Sequence, residues 1–173
     1  MSHVNVEIKA RSSSNGKIRE ILLSKHARFV GLDRQTDTYF NVSFGRLKLR
    51  EGNIENHLIY YAREDKEGPK ISNVTLYNAG PESSLRDILE RSLGVLAVVK
   101  KEREIYFIDN VKFHLDRVKG LEDFVEIEAI DLDGSIGKDN LRDQCNYYIS
   151  LFGINKENFI SGSYSDLLIG QVK

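Results

Sequence analysis

Apolar and polar side chains alternate with period two along most of this chain, the pattern of strands that bury one face. The segments Val4–Ala10, Asp37–Phe40, Arg46–Arg50, Leu58–Arg63, Val98–Tyr106, Lys112–Val118 and Phe124–Ile130 show it clearly. Weaker alternation predicts further strands around Phe29–Asp33 and Ile71–Leu76. Turn-forming pairs separate them: Gly52-Asn53, Asp109-Asn110 and Lys119-Gly120. Three segments switch to helical period. Gly16–Ala27 sets Ile18, Ile21 and Leu22 on one face, with Ser14 or Asn15 as its cap. Ser83–Leu93, opened by Pro81 and closed by Gly94, carries Leu85, Ile88, Leu89 and Leu93 as an apolar stripe. Lys138–Phe152 stops near Gly153, and the tail Lys156–Lys173 has room for a short helix around Ser165–Leu168.

Successive strand side chains point to opposite faces. Sorting the strands by parity places their charges together. Asn5, Glu7 and Lys9 oppose Val4, Val6, Ile8 and Ala10; Arg46, Lys48 and Arg50 oppose Leu47 and Leu49. Lys101 and Arg103 share a face, His114 and Asp116 oppose Phe113 and Leu115, and Glu126 and Glu128 oppose Val125, Ile127 and Ala129. Two architectures fit. One is an open α+β sheet with a solvated charged face. The other is a closed barrel with a charged lumen and an apolar exterior covered by the three helices. In a barrel the lumen would hold Lys9, Arg46, Lys48, Arg50, Arg63, Lys101 and Arg103 against Glu7, Asp116, Glu126 and Glu128, a surplus of positive charge. Buried charge is costly unless paired or neutralised by a ligand, so the surplus asks for an anion.

Composition narrows the class. The 173 residues, 40% hydrophobic and 29% charged, suit one folded domain over 1–173, with the C-terminal helix and tail from about residue 138. The net charge of −1 gives no whole-chain attraction to nucleic acid or to an anionic membrane. No apolar run approaches the roughly 20 residues of a membrane span. No leader pattern opens the chain, so a cytoplasmic protein is expected. Cys145 is the one cysteine, which excludes an internal disulfide and a CxxC metal site. Beside Leu141 and Tyr148 it is expected as a small core residue.

Several pieces, in order, resemble the CYTH, or triphosphate tunnel, superfamily. Asn5-Val6-Glu7-Ile8-Lys9 is similar to that family's opening ExExK, with Asn5 in place of the first Glu. Asp37-Thr38-Tyr39-Phe40, Gly45-Arg46-Leu47-Lys48-Leu49-Arg50, Arg63 and Lys101-Glu102-Arg103-Glu104-Ile105-Tyr106 follow. Leu115-Asp116-Arg117-Val118-Lys119-Gly120-Leu121, then Phe124-Val125-Glu126-Ile127-Glu128, resemble its closing pieces. The detailed pattern is most similar to the class IV adenylyl cyclase branch.

The resemblance implies an α+β fold built on a closed eight-stranded antiparallel β-barrel, a tunnel open at both ends with helices packed outside. It implies Glu7, Asp116, Glu126 and Glu128 as ligands of Mg²⁺ or Mn²⁺, and Lys9, Arg46, Lys48, Arg50, Arg63, Lys101 and Arg103 as phosphate contacts. Glu7, Lys9, Glu126 and Glu128 would carry catalysis, with Lys9 a phosphate ligand or a general base. The implied substrate is a small-molecule triphosphate, and a monomer or homodimer is expected. The implied reaction is cyclisation of ATP to cyclic AMP and pyrophosphate. The alternatives are hydrolysis of inorganic triphosphate, thiamine triphosphate or a nucleoside triphosphate, and a non-catalytic polyphosphate- or nucleotide-binding module. Asn5 brings a carbonyl oxygen but no charge, which weakens a second metal more than a first.

Overall fold

The computed structural model describes residues 2–80 and 84–171. Eight strands, β1 (Ser2–Arg11), β2 (Arg28–Phe40), β3 (Arg46–Glu51), β4 (Asn56–Arg63), β5 (Lys70–Asn78), β6 (Val95–Ile108), β7 (Val111–Val118) and β8 (Asp123–Asp131), close in the order β1-β5-β4-β3-β2-β6-β7-β8. Every pairing is antiparallel. The chain is therefore a closed barrel and the open-sheet alternative falls away. The two strands read around Phe29–Asp33 and Asp37–Phe40 are parts of one long β2. A register shift between Phe29 and Gly31 re-aims its first residues. β6 is longer than the alternation showed, because Val95–Val98 is a continuous apolar run that still pairs with the end of β2. A two-residue turn joins β6 to β7, with Asp109 at φ 50°, a left-handed conformation that Asp tolerates.

Helix α1 (Asn15–Ser24) precedes β2, α2 (Leu85–Leu93) precedes β6, and α3 (Lys138–Leu151) follows β8. A single 3₁₀ turn at Lys156–Asn158 leads to α4 (Tyr164–Gln171), longer than the Ser165–Leu168 expected. The start proposed for the second helix, Pro81 and Ser83, lies outside the described residues. Ser14 stands at the start of α1 but makes no side-chain capping bond.

The main apolar core lies outside the barrel. Val6 and Ile8 of β1, Phe113 and Leu115 of β7, and Val125 and Ile127 of β8 pack with Ile18 and Leu22 of α1 and Leu141, Cys145 and Phe152 at α3. Each fully buried side chain of this size contributes about 1.5–3 kcal/mol. Cys145 is fully buried, and its thiol donates to the Val6 carbonyl. The helices cover only part of the barrel. α2 buries no residue, and Ile88 on its expected apolar stripe is 57% exposed. The outer face of β6 beside it leaves Leu96 and Val98 half-exposed, and further along the outer faces of β2 and β6 carry Arg34, Lys100, Glu102 and Glu104. There Arg34 pairs with Glu102 at 3.2 Å, and Arg19 of α1 binds Glu104 at 2.8 and 2.6 Å.

Candidate active site

The inner wall carries the charges that parity assigned to it. A cavity of about 140 Å³ runs into the barrel, lined in part by Glu7, Lys9, Lys48, Arg50, Arg63, Lys101, Arg103, Glu126 and Glu128. Glu7 faces Glu128 across the β1–β8 ladder, and Lys9 faces Glu126. Of the expected site residues, only Arg46 and Asp116 lie off this wall. Arg46 is bound to Asp65 at 2.6 Å and to Asp166 at 3.0 Å. Asp116 is fully buried, its oxygens taken by Arg103 at 2.7 and 2.5 Å and by the Tyr164 hydroxyl at 2.6 Å.

Glu126 is the hub of the acidic side. Lys9 Nζ lies 2.7 Å from it, Arg103 donates at 2.5 Å, and His114 Nδ1 is at 3.0 Å. Burial alone would raise its pKa, but Lys9, Arg103 and His114 hold it well below the usual carboxylate range. His114 moves the other way. Burial, then the nearby Arg103, pushes it down to about 4 against the pull of Glu126. The ring is thus neutral at pH 7. Its Nδ1 carries the proton donated to Glu126, and Nε2 remains an acceptor that is buried without a partner. Glu7 pairs with Arg63, and Glu128 accepts a bond from Asn5 Nδ2.

Across the lumen the basic side is organised by Asp37, which sequence reading placed in a motif but not in the lumen. Arg50 grips it through Nε at 2.8 Å and Nη2 at 2.9 Å, Lys101 approaches to 2.6 Å and Lys48 to 3.0 Å. Burial opposes ionisation, yet Arg50, Lys101 and Lys48 hold the Asp37 carboxyl well below its ordinary value. The signal was present: Asp37 and Tyr39 share a parity on β2, opposite Arg50 and Lys48 of β3. His3 and Lys112, and His57 on β4, also line the cavity, each at the parity of its charged strand-mates. Glu55 and Tyr164 line it too and carried no such signal, because one sits in a loop and the other in the tail.

The tail lies across one end of the barrel, so the tunnel is not open alike at both ends as the resemblance implies. Ile160 N bonds to the Lys9 carbonyl of β1, and Arg63 of β4 bonds to the Gly162 carbonyl. Lys70 of β5, 1% exposed, gives its ammonium to the carbonyls of Lys66, Ile160 and Ser161. Tyr164 then enters the lumen. Its hydroxyl donates to Asp116 of β7, its ring packs on Phe124 of β8, and Lys9 Nζ sits 3.9 Å above the ring centroid. Asp166 holds Arg46 of β3. At the other mouth the β3–β4 loop is pinned by the buried Asp33, which accepts the backbone N–H groups of Ile54 at 2.9 Å and Glu55 at 3.0 Å. The loop presents Glu55 to Arg50 at 2.9 Å, to Gln35 at 3.1 Å and to Lys112.

The donor chemistry fits a hard divalent cation. Glu7, Glu126 and Glu128 supply oxygen ligands from two neighbouring strands, and Asn5 Oδ1 is buried without a partner, an oxygen that a cation would satisfy. Among the described residues no three acidic or histidine side chains already converge on one point. The reason is visible in the pairs above: Glu7 and Glu126 each face a cation.

An antiparallel barrel with a charged lumen and an apolar exterior is an inside-out barrel, and comparison places it in a family. The CYTH domain model matches residues 3–163, and the chain belongs to the CYTH domain family. A candidate adenylate cyclase of Methanocaldococcus jannaschii is 27% identical over 178 residues, covering 95% of this chain and 98% of that protein. The structure of the PH1012 protein of Pyrococcus horikoshii superposes with a TM-score of 0.75 at 28% identity, covering 94% of this chain and 98% of that one. HpAC1 of Hippeastrum, a candidate adenylyl cyclase described as having a dominant triphosphatase activity, shares the fold at 14% identity and a TM-score of 0.61, over 98% of this chain and 95% of that one. No described helix is long and apolar enough to cross a membrane.

Proposed function

We propose that the protein is a metal-dependent enzyme acting on a small-molecule triphosphate in its lumen, with cyclisation of ATP to cyclic AMP and pyrophosphate as the first reading. The observation that carries it is a set of buried cations facing three carboxylates across one cavity. The relative of M. jannaschii, named as a candidate adenylate cyclase, supports the reaction chosen.

Lys9, Lys48, Arg50, Arg63, Lys101 and Arg103 bind phosphate oxygens, Arg through paired donors and Lys as a point charge. Arg46 guides the polyanion from the rim. Glu7, Glu126 and Glu128 would hold Mg²⁺ or Mn²⁺, which when bound would supply charge neutralisation for the phosphate oxygens. The entering phosphates compete with Glu7 for Arg63 and with Glu126 for Lys9, which frees the carboxylates for their ligand role. Asp116 holds the Arg103 fork, and Asp37 holds Arg50, Lys48 and Lys101 as a unit, so these donors are already oriented when charge develops. In the cyclase the ribose 3′-oxygen attacks the α-phosphorus, and the basic wall stabilises the departing pyrophosphate.

A triphosphatase is the second reading. It uses the same residues, with water attacking the terminal phosphorus. Asn5 in place of a carboxylate favours a third, a binding module without turnover. Product analysis separates them. The purified protein is incubated in turn with ATP, inorganic triphosphate and thiamine triphosphate, with Mg²⁺ or Mn²⁺. Cyclic AMP with pyrophosphate establishes the cyclase. Orthophosphate without cyclic AMP establishes the triphosphatase and names its substrate. Saturable binding with no product establishes the module.

A further inference from the structure

Glu126 stands in a row across three neighbouring strands. Lys9 of β1 is registered with it on one side and His114 of β7 on the other. Its two oxygens are held differently. Lys9 Nζ lies 2.7 Å from Oε1. Arg103 Nη2 at 2.5 Å and His114 Nδ1 at 3.0 Å meet at Oε2. The His114 ring is neutral, since a second proton would sit on Nε2, which is buried without a hydrogen-bond partner. A histidine buried merely to fill space needs neither a carboxylate at Nδ1 nor a place on the lumen wall, and His114 has both.

Of these three donors, Lys9 and Arg103 are cations that phosphate oxygens attract, and Arg103 is already shared with both oxygens of Asp116. His114 is the neutral one. An entering polyanion has no charge by which to pull it away, and it adds no positive charge to repel a divalent ion. We infer that His114 is a positioning residue: its Nδ1–H pins Glu126 Oε2 while Lys9 leaves Oε1 for the phosphates, and so presents Oε1 to the divalent cation. A carboxylate pinned at one oxygen has less freedom to lose when the other binds, which is how the hydrogen-bond partners of metal ligands raise affinity. This rests on Glu126 being a metal ligand in a triphosphate-binding lumen.

The test is binding of Mn²⁺ alone to the full chain at pH 7, with free Mn²⁺ counted by electron paramagnetic resonance, in wild type, His114→Leu, His114→Asn and Glu126→Gln. Leu fills much the same volume without a donor. Asn is smaller, but its amide nitrogen stands near the place of Nδ1 and donates. The expected result is about tenfold weaker Mn²⁺ binding in His114→Leu, and binding within about threefold of wild type in His114→Asn. A packing role alone gives the reverse order. Mn²⁺ affinity unchanged in His114→Leu, or lowered as far in His114→Asn, overturns the inference, while loss of binding in Glu126→Gln upholds the metal-site reading. Wild type that binds no Mn²⁺ overturns both. Should His114→Leu fail to fold, ¹⁵N spectra of the wild-type histidines in EDTA decide. Nδ1 of His114 is expected to keep its proton, and Nε2 to stay bare, with and without inorganic triphosphate. A ring protonated at Nε2 in either state overturns the inference.

Discussion

The individual residue that decides most about this lumen is a carboxylate flanked by cations. Asp37 is fully buried and takes Arg50, Lys48 and Lys101 together. Its removal leaves those three cations close together without a counter-ion. Asp37→Ala is therefore expected to destabilise the fold by about 3–5 kcal/mol, read by urea denaturation. His114 gives a separate signature in pH. Its folded pKa of about 4 lies below the unfolded value of 6.5, so between those limits the unfolded chain binds a proton that the folded chain does not. Stability consequently falls as pH drops from about 6.5 to 4, by at most roughly 3 kcal/mol from this group. Below 4 its contribution to the slope ends, and protonation of Glu126 and Asp37, whose pKa values are depressed, takes over. Denaturation of metal-free protein at pH 7, 5.5 and 4.5 should show a shallower dependence in His114→Gln than in wild type.

At the scale of elements, two non-strand segments finish a barrel whose strands were legible. The strands could be read because each alternates cleanly, and the shared parity of Glu7, Lys9, Arg50, Arg103 and Glu126 placed them on one wall. The Glu55 loop and the tail have no such period; their contribution depends on the long-range contacts of Asp33, Lys70 and Asp116, separated from them by 22, 91 and 48 residues. The loop leaves no room at Gly52, where an added Cβ would meet Asp33 Oδ1 at 2.5 Å. Gly52→Ala should force the pinned loop off Asp33 and lower stability by about 1–3 kcal/mol, seen as a lower melting temperature. In the tail, Tyr164→Phe removes the hydroxyl that donates to Asp116 and should cost about 1–3 kcal/mol in the same assay.

For the whole molecule, the covering of the barrel was the part that pattern misplaced. An apolar stripe such as that of α2 shows that a helix has a face to bury, but not that it packs down on the barrel: Ile88 stays exposed, and so do Leu96 and Val98 of β6. The β1–β7–β8 side offers a partner, through Val6, Phe113 and Ile127, and α1 and α3 settle there. The inside of the barrel follows the opposite logic, since its buried charges are stable only because nearly every carboxylate has a cation. A polyanion and a divalent ion together can replace those pairs without leaving a net buried charge, and that exchange is the centre of the functional account. The measurement that tests it most directly is triphosphate turnover with Mg²⁺ or Mn²⁺, using the accepted substrate, in wild type and Glu126→Gln. Circular dichroism confirms that both are folded. The account predicts metal-dependent turnover in wild type and a loss of at least about a hundredfold in the variant. Turnover that survives in folded Glu126→Gln, or that ignores chelation of the metal, would contradict it.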